Sequence, residues 1–292
     1  HPSGLGPSGP SPFRVEHSHG ELHANRLILA TGGRSLPKTG SDGSGFALAR
    51  SLGHSVTPTH PALVPLVLDD TFFHTELSGL SLEVTLSTFA HNKLIDRRAG
   101  SLLFTHFGVS GPIVMDASRF WTIAQADGRE PKLRCAFVEE DFAVVEKQLI
   151  DEASVNPKRT VLSWLQSRFP SRLAEVLLRH AGVESSVAFS QLAREDRRSL
   201  VHALTELELP VVRDRGWNYA EVTAGGVPLS EVHHRDMQSR VMPGLYLVGE
   251  ILDCDGRIGG FNFQWAWATG FLAGRAAVGP GAGAPSVLPL NG

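Results

Sequence analysis

Residues 245–277 constrain the fold of this chain more than any other stretch, because their character changes from strand to turn to helix. The stretch begins with the apolar run LYLV, of strand type, which ends at Gly249. A polar turn leads to the pair Gly259-Gly260, and Ala, Trp and Leu then recur at helical spacing from Asn262 to Ala277. Glycines let a ligand approach the backbone, and the positive end of a helix dipole attracts a phosphate or a carbonyl oxygen. The pattern therefore predicts a nucleotide-binding corner.

A second stretch, residues 26–53, repeats the same order of elements. An apolar strand at 27–30 is followed by Thr31-Gly32-Gly33, a polar loop, and a helix from about Phe46 that Gly53 ends. The same pattern also describes an ordinary strand-loop-helix connection whose glycines only make turns. Local spacing alone leaves both interpretations open.

Five motifs follow one another along the chain and make the pattern more specific. They are ATGGRSLPKTGSDGSGFALARSLGH at 30–54, PALVPL at 61–66, LLFTHFGVSGP at 102–112, EVTAGGV at 221–227 and GLYLVGEILDCDGRIGGFNFQWAWATG at 244–270. In this order they closely resemble the HI0933-like (BaiN-type) flavoprotein family. The resemblance covers most of residues 13–277.

The resemblance implies an FAD-dependent oxidoreductase, with NAD(P)H as the expected reductant. It implies that Gly249, Glu250 and Asp253 lie at the ribityl and pyrophosphate region of the cofactor. The start of the last helix, with Gly259, Gly260, Phe261 and Asn262, is expected near the pyrimidine edge of the flavin. Thr31, Gly32 and Gly33 are expected to line the same crevice, at the carboxyl end of their strand.

The family also implies a reaction, the reduction of a carbon-carbon double bond conjugated to a carbonyl by hydride from flavin N5. The expected substrate is either uridine in ribosomal RNA, giving dihydrouridine, or a small molecule such as a steroid-like enone. We favour the RNA, because the chain resembles part of a housekeeping enzyme. The proton donor is not singled out. His106, Ser110 and Cys254 are candidates on the substrate side, Cys254 from the loop before the last helix. The alternatives are that His106 is a structural histidine and that Cys254 is a small buried side chain.

The glycine-rich amino end does not supply a dinucleotide fingerprint. Gly4, Gly6 and Gly9 match G-x-G-x-x-G, but they lie among prolines that exclude the required strand and helix. Family members begin with a true fingerprint that holds the ADP half of FAD, and nothing in this sequence matches it. We therefore expect a missing N-terminal segment, in cis or on another chain. The alternative is a truncated, catalytically inert or flavin-free binding fragment.

Composition limits the remaining function classes. The chain has 292 residues, a length sufficient for two domains, and 42% of them are hydrophobic, so each domain can have a core of its own. No run approaches about 18 apolar residues and no signal peptide is recognisable, so we expect no membrane association. Cys135 and Cys254 are the only cysteines and lie far apart, which favours a reducing, cytoplasmic location. The net charge of −3 neither requires nor excludes a nucleic acid.

Two charged clusters carry weak functional signals. His17, His19 and His23 lie near a predicted hairpin tip and lack a fourth ligand, so we predict no metal site. Arg194, Arg197 and Arg198 lie close together in a helical region, where they are compatible with an RNA-facing edge or with a solvated helix face.

The predicted fold class is α/β, with a partial, discontinuous FAD-binding Rossmann-like domain and an inserted domain made of an antiparallel β part and a helical part. The expected boundaries are a linker or disordered end at 1–12, the first FAD-domain piece at 13–60, a β-rich substrate-side part at 61–140, a helical part at 141–217, the second FAD-domain piece at 218–278 and a disordered tail at 279–292. Short strands with turns are expected at 63–134 and helices at 141–209.

Overall fold

The computed structural model describes residues 13–279, which separate into two compact units. Residues 13–59 and 222–279 form what we call the discontinuous unit, and residues 60–221 form the inserted unit. Each unit has a hydrophobic core of its own. The predicted linker at 1–12, with its glycine pattern, and the predicted tail after Gly279 lie outside the described residues.

The elements are numbered in chain order. The strands are β1 (Phe13–His17), β2 (Gly20–Ala24), β3 (Leu27–Leu29), β4 (His60–Ala62), β5 (Leu66–Leu68), β6 (Ser81–Ala90), β7 (Lys93–Thr105), β8 (Gly108–Ser110), β9 (Lys132–Ala136), β10 (Leu207–Leu209), β11 (Val211–Asp214), β12 (Val222–Ala224) and β13 (Leu245–Leu247). The α-helices are α1 (Ser44–Ser51), α2 (Pro112–Ala126), α3 (Phe142–Val155), α4 (Val161–Gln166), α5 (Ser171–His180), α6 (Arg194–Thr205) and α7 (Phe261–Val278).

A short parallel strand pair lies at the centre of the discontinuous unit. β13 pairs with β3, with Leu245 opposite Leu27 and Leu247 opposite Leu29. Every residue of β13 is buried, as expected for a parallel strand covered on both faces. Glycine-containing turns lead from β3 towards α1 and from β13 towards α7, so both predicted strand-turn-helix corners are present.

The long helix α7 buries little of its surface although it is mostly apolar. Only Thr269 and Ala273 are buried along its length. Phe263, Trp267 and Phe271, spaced four residues apart on one side, are 69%, 68% and 62% exposed. We call these three residues the α7 stripe. The strand pair is also open along one edge. β3 pairs with β13 on one edge, and no strand within residues 13–279 pairs with its other edge.

The inserted unit contains a seven-stranded sheet in the order β10-β9-β6-β7-β8-β5-β11, and every neighbouring pair is antiparallel. Alternation along β6 explains its position, since Val84, Leu86 and Thr88 point into the core while the residues between them are more exposed. The two ends of this unit are joined, because the Glu221 amide donates to the Leu63 carbonyl at 3.1 Å.

Helices α3 to α6 complete the core of the inserted unit. α5 buries Leu173 and Leu177, one turn apart, on its inner face. Two helices begin with side-chain caps, as the Asp141 carboxylate accepts from the Val144 amide at 2.9 Å and the Thr160 hydroxyl accepts from the Ser163 amide at 3.2 Å.

Two expectations about secondary structure were wrong. Helix α2 lies within residues 63–134, where only short strands were expected. Its Ile113, Ala117 and Trp121 are buried at a spacing of four, and Pro112 occupies the first helical turn, so helical burial outweighs the β propensity of its Ile and Val. At the other end, β10 lies within the predicted helical stretch 141–209, because Leu207 and Leu209 pair with β9.

The described residues contain neither a membrane-spanning helix nor a cluster of metal-ligand side chains. None of the helices between residues 13 and 279 is long and apolar enough to cross a membrane. In that same range, no three side chains of the His, Cys, Asp or Glu type converge as a metal site would require.

Candidate functional site

The first turn of α7 is a candidate group of donors in the discontinuous unit. The helix begins at Gly260 in the left-handed conformation, with φ 87°, and Gly259 before it has φ 120°. The N-cap residue is a glycine and so supplies no side-chain cap to this turn. A Cβ placed on Gly260 would meet nothing within 4 Å, so the space beside it is open. Uncapped N–H groups at the positive end of a helix dipole favour a negative or carbonyl-bearing ligand.

The loop before this turn is held by Asn262. Its Oδ1 accepts from the Gly256 amide at 2.8 Å, and its Nδ2 donates to the Gly256 carbonyl at 3.0 Å. Arg257, the next residue, places its guanidinium 4.9 Å from the centre of the Phe261 ring. The Asn262 side chain therefore shapes the loop, and a positive charge, which the sequence analysis had not singled out, lies beside the helix start.

Gly249 lies in the turn after β13 and makes two hydrogen bonds to side chains of α7. Its amide donates to the Thr269 hydroxyl at 2.9 Å, and its carbonyl accepts from the Trp265 indole at 3.1 Å. With φ 72°, it also needs the freedom of a glycine. Both polar groups of its peptide are thus used to fix the helix, while the predicted contact of Gly249 with the cofactor stays a prediction.

Glu250 joins three separate parts of the sequence. Its Oε1 accepts from the Thr223 amide at 2.7 Å and from the Ser35 hydroxyl at 3.3 Å. A Cβ on Gly33 would collide with this same carboxylate oxygen and with the Thr223 hydroxyl. The structure therefore brings together Gly33 and Glu250 as predicted neighbours, through Thr223, a residue of the EVTAGGV motif that the sequence analysis had not assigned.

Asp253 and the glycine pair of the EVTAGGV motif serve internal contacts. The Asp253 carboxylate accepts from the Thr57 hydroxyl at 3.1 Å, and its amide donates to the Val227 carbonyl at 2.8 Å. Gly225 and Gly226 have positive φ values of 90° and 147° and lie against backbone, so neither has space for a Cβ. These glycines allow close packing of two loops.

The turn after β3 is similarly compact. Gly32 has φ 70°, and a Cβ there would come within 2.8 Å of the Ser41 hydroxyl. The Thr31 hydroxyl is buried and has no hydrogen-bond partner among residues 13–279. Gly43 is the N-cap of α1, and the Asp42 carboxylate accepts from the Ser44 amide at 2.9 Å. Hydrogen bonding from the Ser44 hydroxyl, and then from the Ser44 amide, lowers the pKa of the Asp42 carboxyl.

The candidates for substrate contact fall in both units. His106 is exposed at the turn between β7 and β8, where its ring meets the Phe107 ring edge-on at 5.1 Å. Because β7 and β8 pair on either side of this turn, the motif at 102–112 contains a hairpin. Ser110 ends β8 with its hydroxyl 3.9 Å from the Met115 sulfur. Cys254 is partly exposed in the discontinuous unit, and Cys135 is buried. The roles of His106, Ser110 and Cys254 stay predictions.

The inserted unit also contains a cavity of about 570 Å³ that the sequence did not indicate. Its lining includes Asp70, Phe73, Arg179 and His180. None of the predicted site residues contributes to this lining.

Comparison with known proteins adds a family to this geometry. The model of the HI0933-like protein Rossmann domain matches residues 8–276. A 3-dehydro-bile acid delta(4,6)-reductase of Clostridium scindens is 36% identical over 255 residues, which are 87% of this chain and 62% of the reductase. Ribosomal RNA dihydrouridine synthases of Escherichia coli and Haemophilus influenzae are 33% and 31% identical, over 90% and 89% of this chain and 63% and 62% of the synthases. The chain thus spans a little under two thirds of the length of these relatives.

Proposed function

Because this chain belongs to the HI0933-like family, we propose that it acts as an FAD-dependent oxidoreductase. The observation that carries the proposal is the uncapped first turn of α7, with its open left-handed Gly260. Backbone N–H groups there, beside the Arg257 guanidinium, fit the carbonyl-bearing edge of a flavin. Within this proposal, Gly259, Gly260, Phe261 and Asn262 hold that edge, and Thr31, Gly32 and Gly33 line the crevice beside it.

Glu250 has a positioning role in this proposal. By accepting from Thr223 and Ser35, its carboxylate keeps the turn after β3 and the turn after β13 together. When bound, FAD supplies hydride at N5 for a carbon-carbon double bond. The glycine turns supply shape, and the helix terminus supplies a fixed positive potential that requires no rearrangement during the reaction.

We propose that the reaction is the reduction of a double bond conjugated to a carbonyl, with NAD(P)H as the source of electrons. Hydride adds to the β carbon, and a proton adds to the α carbon to complete the product. The proton comes from a side chain or from water. His106, Ser110 and Cys254 are the proposed candidates on this chain.

For the substrate we propose uridine in ribosomal RNA, with a steroid-like enone as the second candidate. The printed activities of the relatives, a bile acid reductase and two ribosomal RNA dihydrouridine synthases, support the pair. A reducing cytoplasm is the proposed location, supported by the two free cysteines.

We further propose that a polypeptide segment bearing the glycine fingerprint, in cis or on another chain, completes the cofactor domain. The α7 stripe and the second edge of β3 support this, because an apolar helix face and a parallel strand edge are ordinarily covered. The competing proposal is that the chain is a flavin-free binding fragment. If no such segment is supplied, the uncovered α7 stripe and the open edge of β3 favour that proposal.

The test is flavin retention by the complete protein carrying Gly260→Val, compared with Gly128→Val. Both glycines have left-handed φ values, 87° and 69°, and both have open space around a Cβ, so the backbone cost is matched. We expect Gly260→Val to lose flavin absorbance after desalting and Gly128→Val to keep it. Equal retention by the two variants contradicts the assignment, and a colourless wild-type protein supports the flavin-free alternative.

A further inference from the structure

An arginine of the inserted unit lies between two aromatic rings. The Arg215 guanidinium carbon is 3.6 Å from the centre of the Tyr219 ring and 4.1 Å from the centre of the Phe107 ring. Both distances are well within the range of about 6 Å in which cation–π attraction acts. Tyr219 is 48% exposed, so part of its ring is open to solvent. We call these three residues the Arg215 stack.

The backbone holds each member of the Arg215 stack in place. The Phe107 carbonyl accepts from the Leu68 amide at 3.1 Å, next to the pairing of β5 with β8. The Arg215 amide donates to the Pro65 carbonyl at 3.1 Å, directly after β11, and the Tyr219 amide donates to the Gly216 carbonyl at 3.0 Å. A backbone that is already ordered in this way loses little conformational entropy when a ligand binds.

The charge of Arg215 is not neutralised by a carboxylate within residues 13–279. Other arginines of the inserted unit have such partners, as Arg134 pairs with Glu206 at 3.1 Å and Arg159 pairs with Glu152 at 3.0 Å. Among residues 13–279, the Arg215 side chain makes only the two ring contacts. A guanidinium that is held by rings and keeps its N–H donors available is suited to bind an anion.

We propose that the Arg215 stack is a binding site for a nucleotide of single-stranded RNA. A base stacks on the exposed ring of Tyr219, and the Arg215 guanidinium donates to the adjacent phosphate. Aromatic stacking and arginine-phosphate contacts are the two features that single-stranded RNA sites combine. The exposed His106, edge-on to Phe107, adds a hydrogen-bond donor or acceptor at the rim.

This inference rests on the proposed function, since it names the residues that select an RNA substrate over a steroid-like enone. An enone of that kind carries no phosphate and leaves the guanidinium donors unused. A nucleotide uses the ring face and the charge together. The other explanation of the Arg215 stack is structural, namely that it only stabilises the return of the chain from β11 to Glu221.

The experiment measures binding of a fluorescent, uridine-rich single-stranded RNA to the complete protein as a function of salt. We expect Arg215→Gln to weaken binding about 10-fold or more and to reduce the salt slope by about one. Arg213→Gln is the matched control, because the Arg213 side chain is exposed and, within the described part of the chain, bonds only the neighbouring Asp214 carbonyl, at 3.2 Å. We expect the control to change binding much less.

Tyr219 variants separate stacking from folding. Tyr219→Phe keeps the ring and is expected to keep RNA affinity, whereas Tyr219→Ala is expected to lose roughly 5- to 100-fold. Arg215→Lys keeps the charge and is expected to keep the salt slope while losing affinity. Equal losses in Arg215→Gln and Arg213→Gln, or Tyr219→Ala binding RNA as the wild type does, overturn the proposal.

Flavin content of the same samples distinguishes the two proposals. Loss of RNA binding with flavin retained in Arg215→Gln supports the RNA site. A wild-type protein without flavin that still shows the Arg215-dependent salt slope contradicts the oxidoreductase proposal and supports the RNA site. Wild-type flavin with no RNA binding contradicts the RNA site alone.

Discussion

His54, Glu231 and Ser239 form a hydrogen-bonded chain that has the residue types of a hydrolase site. The His54 Nδ1 lies 2.6 Å from the Glu231 carboxylate, and its Nε2 lies 2.8 Å from the Ser239 hydroxyl. However, that hydroxyl also accepts from the Val241 and Met242 amides, and Ser239 is only 4% exposed. A nucleophile needs a free lone pair and access to substrate. These three hydrogen-bonded side chains therefore stabilise the turn before β13.

The Glu231 carboxyl makes the stability of the discontinuous unit depend on pH. Burial raises its pKa, but hydrogen bonds from Ser55 and His54 outweigh burial and hold the pKa below its ordinary value. A carboxyl with a lowered folded-state pKa stabilises the fold above its unfolded pKa, and this contribution is lost as the pH falls through the folded value. We expect Glu231→Gln to flatten the loss of stability below about pH 4.

Denaturant unfolding between neutral and acid pH measures this effect, with Glu184→Gln as the control because Glu184 is exposed. Parallel pH profiles for wild type and Glu231→Gln would contradict the assignment.

His74 gives the inserted unit a pH dependence of its own. The side chain is fully buried, and neither ring nitrogen has a hydrogen-bond partner among the described residues. Burial lowers the pKa of the imidazole, and the nearby His106 backbone, followed by the charge of Asp70, only partly opposes this shift. The unfolded chain therefore binds a proton more readily, so stability falls as the pH drops below about 6.5.

We expect His74→Leu to remove part of that fall between about pH 7 and pH 5, measured as the free energy of unfolding of the inserted unit. His74→Phe is a second variant that keeps a ring of similar shape, so that a loss of packing in His74→Leu can be recognised. An exposed histidine, His234→Gln, is the control. If both His74 variants keep the wild-type pH profile, the imidazole is not the group that titrates.

At the scale of elements, the Thr269 hydroxyl of α7 is one of the groups that attach the helix to the turn after β13, together with the Trp265 indole. Thr269 accepts from the Gly249 amide and donates to the Trp265 carbonyl at 2.7 Å. Thr269→Val keeps the shape but leaves the Gly249 amide without its partner, so we expect a loss of about 1–3 kcal/mol in the free energy of unfolding.

Thr269→Ser keeps the hydroxyl and is the matched control for denaturant unfolding. We also expect weaker flavin retention in Thr269→Val, because α7 carries the proposed binding turn. Equal unfolding free energies for the Val and Ser variants would show that the hydroxyl does not hold the helix.

The sequence predicted the corner elements better than it predicted their contacts. Strand-glycine-helix order is a local pattern, so β13 and α7 were found within a few residues of their bounds. That the Glu250 carboxylate would meet Thr223 depends on how distant segments pair, which no local pattern encodes. Helix α2 was missed for a related reason, as its Ile and Val favour strands and only burial against the sheet decides for the helix.

At the scale of the molecule, the two cores make separate folding units. All residues of the larger core lie between Leu66 and Leu209, within the inserted unit. We therefore expect the fragment 60–221 to fold alone and to unfold cooperatively. Leu177→Ala should lower its stability by about 2–5 kcal/mol, as in the full chain, because Leu177 is fully buried.

Circular dichroism during thermal unfolding of the fragment checks this expectation. A fragment with helical signal but no cooperative transition would mean that the inserted unit depends on the rest of the chain for its packing.

The hydrogen bond between Glu221 and Leu63 has an evolutionary consequence. It brings the two ends of the inserted unit close together. The sequence of the discontinuous unit is therefore interrupted at one place, by an insertion whose ends are neighbours. Whatever lies between those ends can be enlarged, trimmed or exchanged at little entropic cost to the sequence around it. New substrates could thus be acquired by replacing this module, while the proposed cofactor-binding unit is inherited unchanged.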